Sequence, residues 1–523
     1  MPRVAKSWFS LSQSIRIDLL KPAIACILAL LSCSSFVTEA GSKHARMQAL
    51  VKTLHLAAPK TGESPYHYVP FEVPSGASQI SISYDYDRAN GSNALDIGLL
   101  DSSSTQRAGD VRGFRGWSGS RRPEFFLSRA AATPGYIPGE LPAGTWRIIL
   151  GLYRIVPTGV DVSFKINVET TDTSPINEMS SPQTFAAALR SPLVMMDEPK
   201  RDPASRTGRR WVAGDLHMHT VNSDGDWTIS QLIAVAKEAR LDFICITDHN
   251  TFSHHAEIDR LSRNRTDLLV IRGEEITTYG GHANAWGLPS NALIDFRVTP
   301  GDREAMARVA AETHRRGALI SINHPFASCA GCNWSYDEDA NNFDAIEVWN
   351  GAWDTADEQA LGLWDRLLRA GQRISAIAAS DSHRPTNPIG QPTTHVAIAG
   401  GLSVRTILKS IRAGQVYLTA LAMAPSITFE AETPNGHYSI GDIARLGRSR
   451  RLDFKIAAGD VTERATVSLI SQGKTIRSFP VNGGKATFVE MYVPRNAYFR
   501  VEVRDQNREM LAMTNPIYIE ARR

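Results

Sequence analysis

The chain has 523 residues, room for two to four domains. Its 57 Lys and Arg stand against 54 Asp and Glu, and the formal charge of +3 is too small to argue for nucleic acid as a partner. Apolar content is ordinary, and 38 glycines with 27 prolines point to many turns.

The first forty residues read as a targeting segment. Arg3, Lys6, Arg16 and Lys21 precede an apolar run from Pro22 to Leu31, and small and polar residues follow through Ser34, Ser35, Thr38 and Ala40. This predicts a signal peptide over residues 1–40, cleavage near Ala40 and export to the periplasm. The run is short for a bilayer, so no transmembrane segment is expected after cleavage. An uncleaved anchor is the competing reading, and Leu30-Leu31-Ser32-Cys33 loosely resembles a lipoprotein box that would anchor lipid at Cys33. Of the other cysteines, Cys26 lies in the leader and Cys245 reads as a buried small residue. Cys329-Ala330-Gly331-Cys332 reads as a small disulfide loop or as half of a soft metal site.

Residues 41–56 read as a linker or short helix. Over 57–170 the pattern is β: Ile80-Ser81-Ile82-Ser83-Tyr84 alternates, as do Ile148 to Tyr153 and Val162 to Val168, which predicts an N-terminal β-sandwich. Phe114, Trp117, Phe125 and Phe126 are assigned to its core, with a glycan-binding or lid role as the alternative. Residues 171–208, rich in Asp, Ser, Pro and Thr, read as a linker with a short helix around Pro182–Ala188. From 209 to 420, strands alternate with helices over Ile229 to Arg240, Arg303 to Arg316, Ala356 to Ala370 and Val404 to Ala413, an α/β pattern. Residues 424–523 return to short strands, predicting a small C-terminal β domain in which nothing looks catalytic and His437 is a loop residue.

The chemistry collects at strand ends in the 209–420 region. On an extended strand His217 and His219 share one face, with Leu216 and Met218 on the other. His249, His282, His324 and His383 add four imidazoles, and Asp224, Glu275 and Asp381 three carboxylates. Imidazole with carboxylate suits Zn, Mn or Fe, and this set exceeds the needs of one tetrahedral ion; it suits two or three divalent ions. Such ions activate water and absorb developing negative charge.

The motifs Asp215-Leu216-His217-Met218-His219-Thr220 with Ser223-Asp224-Gly225, Thr247-Asp248-His249-Asn250, Gly273-Glu274-Glu275-Ile276, Gly281-His282, Asn323-His324-Pro325 and Ser380-Asp381-Ser382-His383 resemble those of the PHP (polymerase and histidinol phosphatase) superfamily. The resemblance implies a central distorted (β/α)7 barrel, here flanked by the N-terminal β-sandwich and the small C-terminal β domain. It implies that His217, His219, Glu275 and Asp381 hold one ion, that Glu275, His282 and His324 hold a second, and that Asp224, His249 and His383 hold a third. Glu275 is then the bridging glutamate, with Glu274 the less favoured choice. Arg115-Gly116-Trp117-Ser118, Thr133-Pro134-Gly135-Tyr136 and Thr514-Asn515-Pro516-Ile517-Tyr518 add a likeness to the CehA/McbA-like branch of PHP metallohydrolases.

The expectation that follows is an exported hydrolase in which a metal-bridging hydroxide attacks an ester or carbamate of an apolar, aryl small-molecule substrate. The catalytic set would be Glu275, Asp381 and a proton donor, His254 or His255. Trp349, Asn350 and Trp353 would form the substrate rim with Arg384. The alternatives are a phosphoesterase acting on phosphomonoesters or diesters, for which Arg384 would meet phosphate oxygens, and an exported glycan- or wall-binding protein with weak catalysis. A homo-oligomer is left open.

Overall fold

The structure, a computed structural model, describes residues 45–171, 208–263, 267–336, 340–433, 436–446, 451–461, 464–481, 487–492 and 497–521. The expected signal peptide with Cys26 and Cys33, and the expected linker with its short helix, lie outside the described residues. No described helix is long and apolar enough to cross a membrane.

Two four-stranded antiparallel sheets come first. Ala45–Leu56, Val160–Thr171, Ala77–Tyr86 and Glu124–Ser128 form one. Tyr66–Val73, Gly144–Arg154, Ala94–Leu100 and Phe114–Gly119 form the other. Alternation drives the burial: Ile80, Ile82, Tyr84 and Tyr86 point inward and meet Leu95, Ile97, Trp146 and Phe164. Residues 45–56, expected as linker or helix, pair along their whole length with Val160–Thr171. Phe126, expected in the core, is exposed, because its neighbours Phe125 and Leu127 take the inward face of their strand.

A second ladder runs Ser375–Ala379, Ala345–Asn350, Leu319–Asn323, Gly281–Trp286, Leu269–Thr278, Phe243–Ile246, Arg210–Asp215 and Thr393–Ile398. The (β/α)7 expectation is not met among the described residues. Five α-helices are described in the whole chain, and no strand pairing closes the ladder. The regular repeat fails at Leu269–Thr278 and Gly281–Trp286. Only Tyr279 and Gly280 separate these strands, too few for a helical crossover, so they pair antiparallel. The next pair, Gly281–Trp286 with Leu319–Asn323, is antiparallel too. The helices that form do so for local reasons: Thr228 and Gln231 cap Ile229–Glu238 reciprocally, as Asp354 and Asp357 cap Thr355–Arg369.

The ladder continues through Val416–Thr419 and Met510–Thr514 into the C-terminal strands, so hydrogen bonding does not break near residue 420. In this stretch His395 is stacked on Tyr417, with ring centroids 4.3 Å apart, and its Nε2 lies 2.8 Å from Thr419 Oγ1. Burial pushes its pKa from 6.5 down to about 3. The folded chain therefore keeps the ring neutral while the unfolded chain protonates it. Its contribution to stability is complete above about pH 6.5 and is lost as pH falls toward 3, at about 1.4 kcal/mol per pH unit. Urea unfolding of His395→Gln should show a pH slope shallower by that amount between pH 6 and 4; an unchanged slope would show that the ring already binds a proton when folded.

The sandwich also packs against the second ladder. Tyr66, Phe114, Trp117 and Ile149 share a core with Ile276, Ala283, Leu288 and Phe296. Trp117 lies 4.8 Å from Phe296, centroid to centroid, and the Tyr66 hydroxyl donates to the Phe296 carbonyl at 3.1 Å. Gly151 is required here: a Cβ would fall 1.8 Å from the Tyr279 hydroxyl.

Candidate metal centre

The expected donors converge at the C-terminal ends of the parallel strands, where open α/β sheets place their ligands. His217 and His219 follow Arg210–Asp215, His249 follows Phe243–Ile246, His324 follows Leu319–Asn323, and Asp381 and His383 follow Ser375–Ala379. The antiparallel hairpin delivers the rest. Its register sets Thr277 opposite His282, one step along the same face from Glu275. Glu274 takes the opposite face and accepts from the Ile294 amide at 2.8 Å, which leaves Glu275 as the glutamate of the cluster.

The Glu275 carboxylate sits at the centre. Its Oε1 lies 3.2 Å from His217 Nε2, 3.2 Å from His282 Nδ1 and 3.2 Å from His324 Nε2. Its Oε2 lies 2.7 Å from His249 Nδ1 and 3.6 Å from His219 Nε2. Asp381 Oδ1 adds contacts of 3.0 Å to His219 Nε2 and 3.4 Å to His217 Nε2. Asp224 Oδ1 reaches His249 Nε2 at 3.4 Å and His383 Nε2 at 3.3 Å. Donor atoms close enough to share an ion group as His219, Asp224, His249 and His383, and as His217, His219 and Asp381. Two of the expected ligand positions carry backbone strain: His324 has φ 24° and Asp381 φ 52°.

Electrostatics agree with a site built for cations. Burial alone would raise Glu275, but His217, His249 and His282 outweigh it and hold the carboxyl well below its usual range. Asp381 is held low in the same way by His217, His219 and His383. Burial disfavours charge on His249, yet Glu275 and Asp224 lift it to about 10, while burial with His383 and His249 drops His219 to about 4. His217 Nε2, His219 Nδ1, Asp224 Oδ1 and Glu275 Oε2 are buried with no hydrogen-bond partner among the described residues. Buried polar atoms are normally paired. Imidazole nitrogens and carboxylate oxygens left unpaired face to face are the donor set that divalent cations take.

Sequence reasoning missed the supports. Glu347 lies inside the buried strand Ala345–Asn350, 3.1 Å from His217 Nδ1, and accepts from the His324 amide at 3.0 Å and from Asn350 Nδ2 at 3.1 Å. Asp248 accepts from the Thr220 amide and from the Thr220 and Ser223 hydroxyls, fixing the turn that carries Asp224. Asp215 accepts from the His217, Ser380 and Gly390 amides, tying the two ligand-bearing strand ends together.

A cavity of about 470 Å³ opens over the cluster. Of the expected substrate residues, Asn350 and Arg384 line it. Trp349 is in the core with its indole donating to Gly351, and Trp353 lies under Arg504 with its indole donating to Glu358; neither is in the cavity wall. His254 and His255 are also outside it. Both rings are fully buried, with Nε2 at 3.1 and 3.2 Å from the Gly273 carbonyl, in a helix and its cap, which leaves neither placed as the expected proton donor. Another part of the wall comes from the sandwich: Asp96, Trp117, Arg121 and Tyr153 line the cavity with Tyr279. Tyr279 donates to Asp96 at 2.6 Å, and burial raises that carboxyl to about 6.

Comparison with known proteins agrees with these motifs. Residues 215–321 match the PHP domain. The 5'-3' exoribonuclease Rnm of Salmonella typhimurium is 32% identical over 114 residues, covering 21% of this chain and 37% of that protein. An uncharacterized protein of Methanocaldococcus jannaschii is 35% identical over 71 residues, covering 12% of this chain and 33% of that one. The chain thus spans about a third of the length of the curated relatives it matches. Among solved structures, a two-domain protein from Bacteroides vulgatus containing a predicted PHP-like metal-dependent phosphoesterase aligns at 18% identity and a TM-score of 0.36, over 63% of this chain and 100% of that chain. The PHP match ends before His324, Asp381 and His383, which the fold brings back to the same cluster.

Proposed function

We propose that the chain is an exported metal-dependent hydrolase of small phosphoesters, holding two or three divalent ions, Zn, Mn or Fe. Glu275, His217, His219 and Asp381 would hold one ion, Glu275, His282 and His324 a second, and Asp224, His249 and His383 a third. Ions there activate water and draw off negative charge developing on a phosphoryl or acyl oxygen. The observation that carries the phosphoester reading is Arg384. It is exposed on the cavity wall directly after His383, and its guanidinium has no acidic partner among the described residues. A fixed, always charged fork beside a cation site suits phosphate oxygens. Arg121 faces the same cavity from the sandwich but is paired with Asp226 at 2.6 Å. The PHP match and the similarity to a 5'-3' exoribonuclease support the same reading. The cavity volume fits a small molecule.

A second reading, hydrolysis of an aryl ester or carbamate as in the CehA/McbA-like branch, is favoured by the aromatic wall of Trp117, Tyr153 and Tyr279. The test is turnover of p-nitrophenyl phosphate, its bis-ester, naphthyl acetate, a naphthyl carbamate and a short oligoribonucleotide, with metal analysed in parallel. Phosphoester turnover abolished by chelator is expected. Arg384→Ala should lower kcat/KM for phosphoesters about 10- to 100-fold, or ~1.4–2.7 kcal/mol, and leave naphthyl acetate nearly unchanged. Turnover of the carbamate alone would install the second reading. A metal-free chain without turnover would leave only a binding role.

A further inference from the structure

One cysteine pair stands at the edge of this cluster. Cys329 and Cys332 form a disulfide and both line the cavity. Cys332 Sγ and one ring nitrogen each of His282 and His324 all lie within 4.8 Å of one another. The bridge spans only two intervening residues, and a loop this short gains little from a cross-link. The loop is also held without it. The Gly281 amide donates to the Gly331 carbonyl at 2.9 Å, and the Tyr153 hydroxyl donates to the Ala330 carbonyl. The first of these contacts ties Cys332 to the hairpin that carries His282, whether or not the sulfurs are joined.

We propose that this disulfide is a redox latch on the second metal position, and that opening it makes Cys332 a metal ligand beside His282 and His324. The inference rests on the metal-centre reading above. The two sulfurs differ in the way a latch requires: Cys329 is exposed and Cys332 is 4% exposed. A dithiol reductant attacks Cys329 Sγ, and the S–S bond breaks with Cys332 leaving as thiolate. The second thiol of the reductant then displaces Cys329, so the reductant ends as a disulfide and the protein as two thiols. A cation binds Cys332 as thiolate, its proton going to solvent. Two imidazoles and a thiolate suit Zn or Co over Mn. A donor added at this position also takes up the open coordination place that a catalytic ion keeps for water or substrate. The oxidised chain is therefore the active form, and the reduced chain holds its ion more tightly and turns over more slowly.

The test uses Co²⁺ added to the metal-free full chain under argon. Four samples are compared: oxidised protein, protein reduced with a dithiol that is then removed, Cys329→Ser, and Cys332→Ser. Cobalt per chain is measured together with near-ultraviolet absorption and the rate of extraction by a chelator. A sulfur-to-cobalt charge-transfer band is expected in the reduced chain and in Cys329→Ser without reductant, and in neither of the other two. Cobalt extraction should slow at least tenfold in the two samples with the band. Cobalt bound by all four without a sulfur band in any would overturn the latch and leave the metal centre standing. No cobalt bound by any sample would overturn the metal-centre reading and the latch with it. Reduction of the natural sequence keeps the test decisive if Cys329→Ser folds poorly.

Discussion

Glu275→Gln should lower kcat/KM by at least a factor of about 1,000, roughly 4 kcal/mol, and should strip the protein of most of its bound metal. The side chain keeps its shape, so the effect isolates charge. The carboxylate stands within 3.6 Å of five imidazoles, those of His217, His219, His249, His282 and His324. Glutamine removes the charge that all five share and replaces one of the two acceptor oxygens by an NH2. A buried charge network that loses one partner is also destabilised, by about 3–5 kcal/mol, so unfolding must be followed beside activity and metal content. Asp224→Asn is the control. Among the described residues Asp224 pairs with His249 and His383, and its side chain is 42% exposed. Its loss should cost about tenfold, with most metal retained. Equal effects from the two substitutions would show that Glu275 does not bridge the cluster.

The difference between these carboxylates was legible in the sequence because the ligand motifs are local. A histidine pair two apart shows its facing through strand alternation alone, whereas Glu275 was separated from Glu274 by the PHP resemblance, in which the bridging glutamate stands two after the glycine. What alternation could not show is chain reversal. Gly281–Trp286 alternates His282 and Asn284 with Ala283 and Ala285, but alternation carries no information on strand direction, and only two residues separate it from the strand before. The regular alternation of strands and helices breaks at this hairpin, where the barrel implied by the resemblance would need a crossover. Yet the same hairpin brings His282 to Glu275, so the expected donors come together although the regular repeat inferred around them is broken here. The cavity wall was hidden for another reason. Asp96, Trp117 and Arg121 lie more than ninety residues before His217, and Trp117 looked like sandwich core because it is core on one face. The tryptophans expected at the rim, Trp349 and Trp353, pack away from the cavity, and position after a strand end proved a poor guide to its rim. One overlooked signal was present: a glutamate in the midst of Ala345, Ile346, Val348 and Trp349.

That glutamate carries the second large prediction. Glu347→Gln should weaken metal binding about 10- to 100-fold while leaving the fold intact. His217 Nδ1 faces Glu347 Oε1 at 3.1 Å, and Nε2 faces the cluster. A carboxylate on the outer nitrogen holds the proton there, orients the ring and makes the inner nitrogen a better donor. Glutamine keeps one acceptor oxygen: turned toward the His324 amide and Asn350, it preserves the backbone support while its NH2 faces His217 Nδ1, so that ring loses both its acceptor and the charge. The variant should bind metal with lower affinity and regain activity when metal is supplied in excess, which Glu275→Gln should not. Glu347→Leu removes the acceptor as well. It leaves the buried His217 N–H and the His324 amide unpaired, and should cost a further ~1–3 kcal/mol in stability. Isothermal titration with Zn²⁺ and Mn²⁺, beside unfolding curves of both variants, separates the two contributions. If Glu347→Gln binds metal as tightly as the natural chain, His217 takes its orientation from packing alone, and the glutamate serves only the backbone at His324.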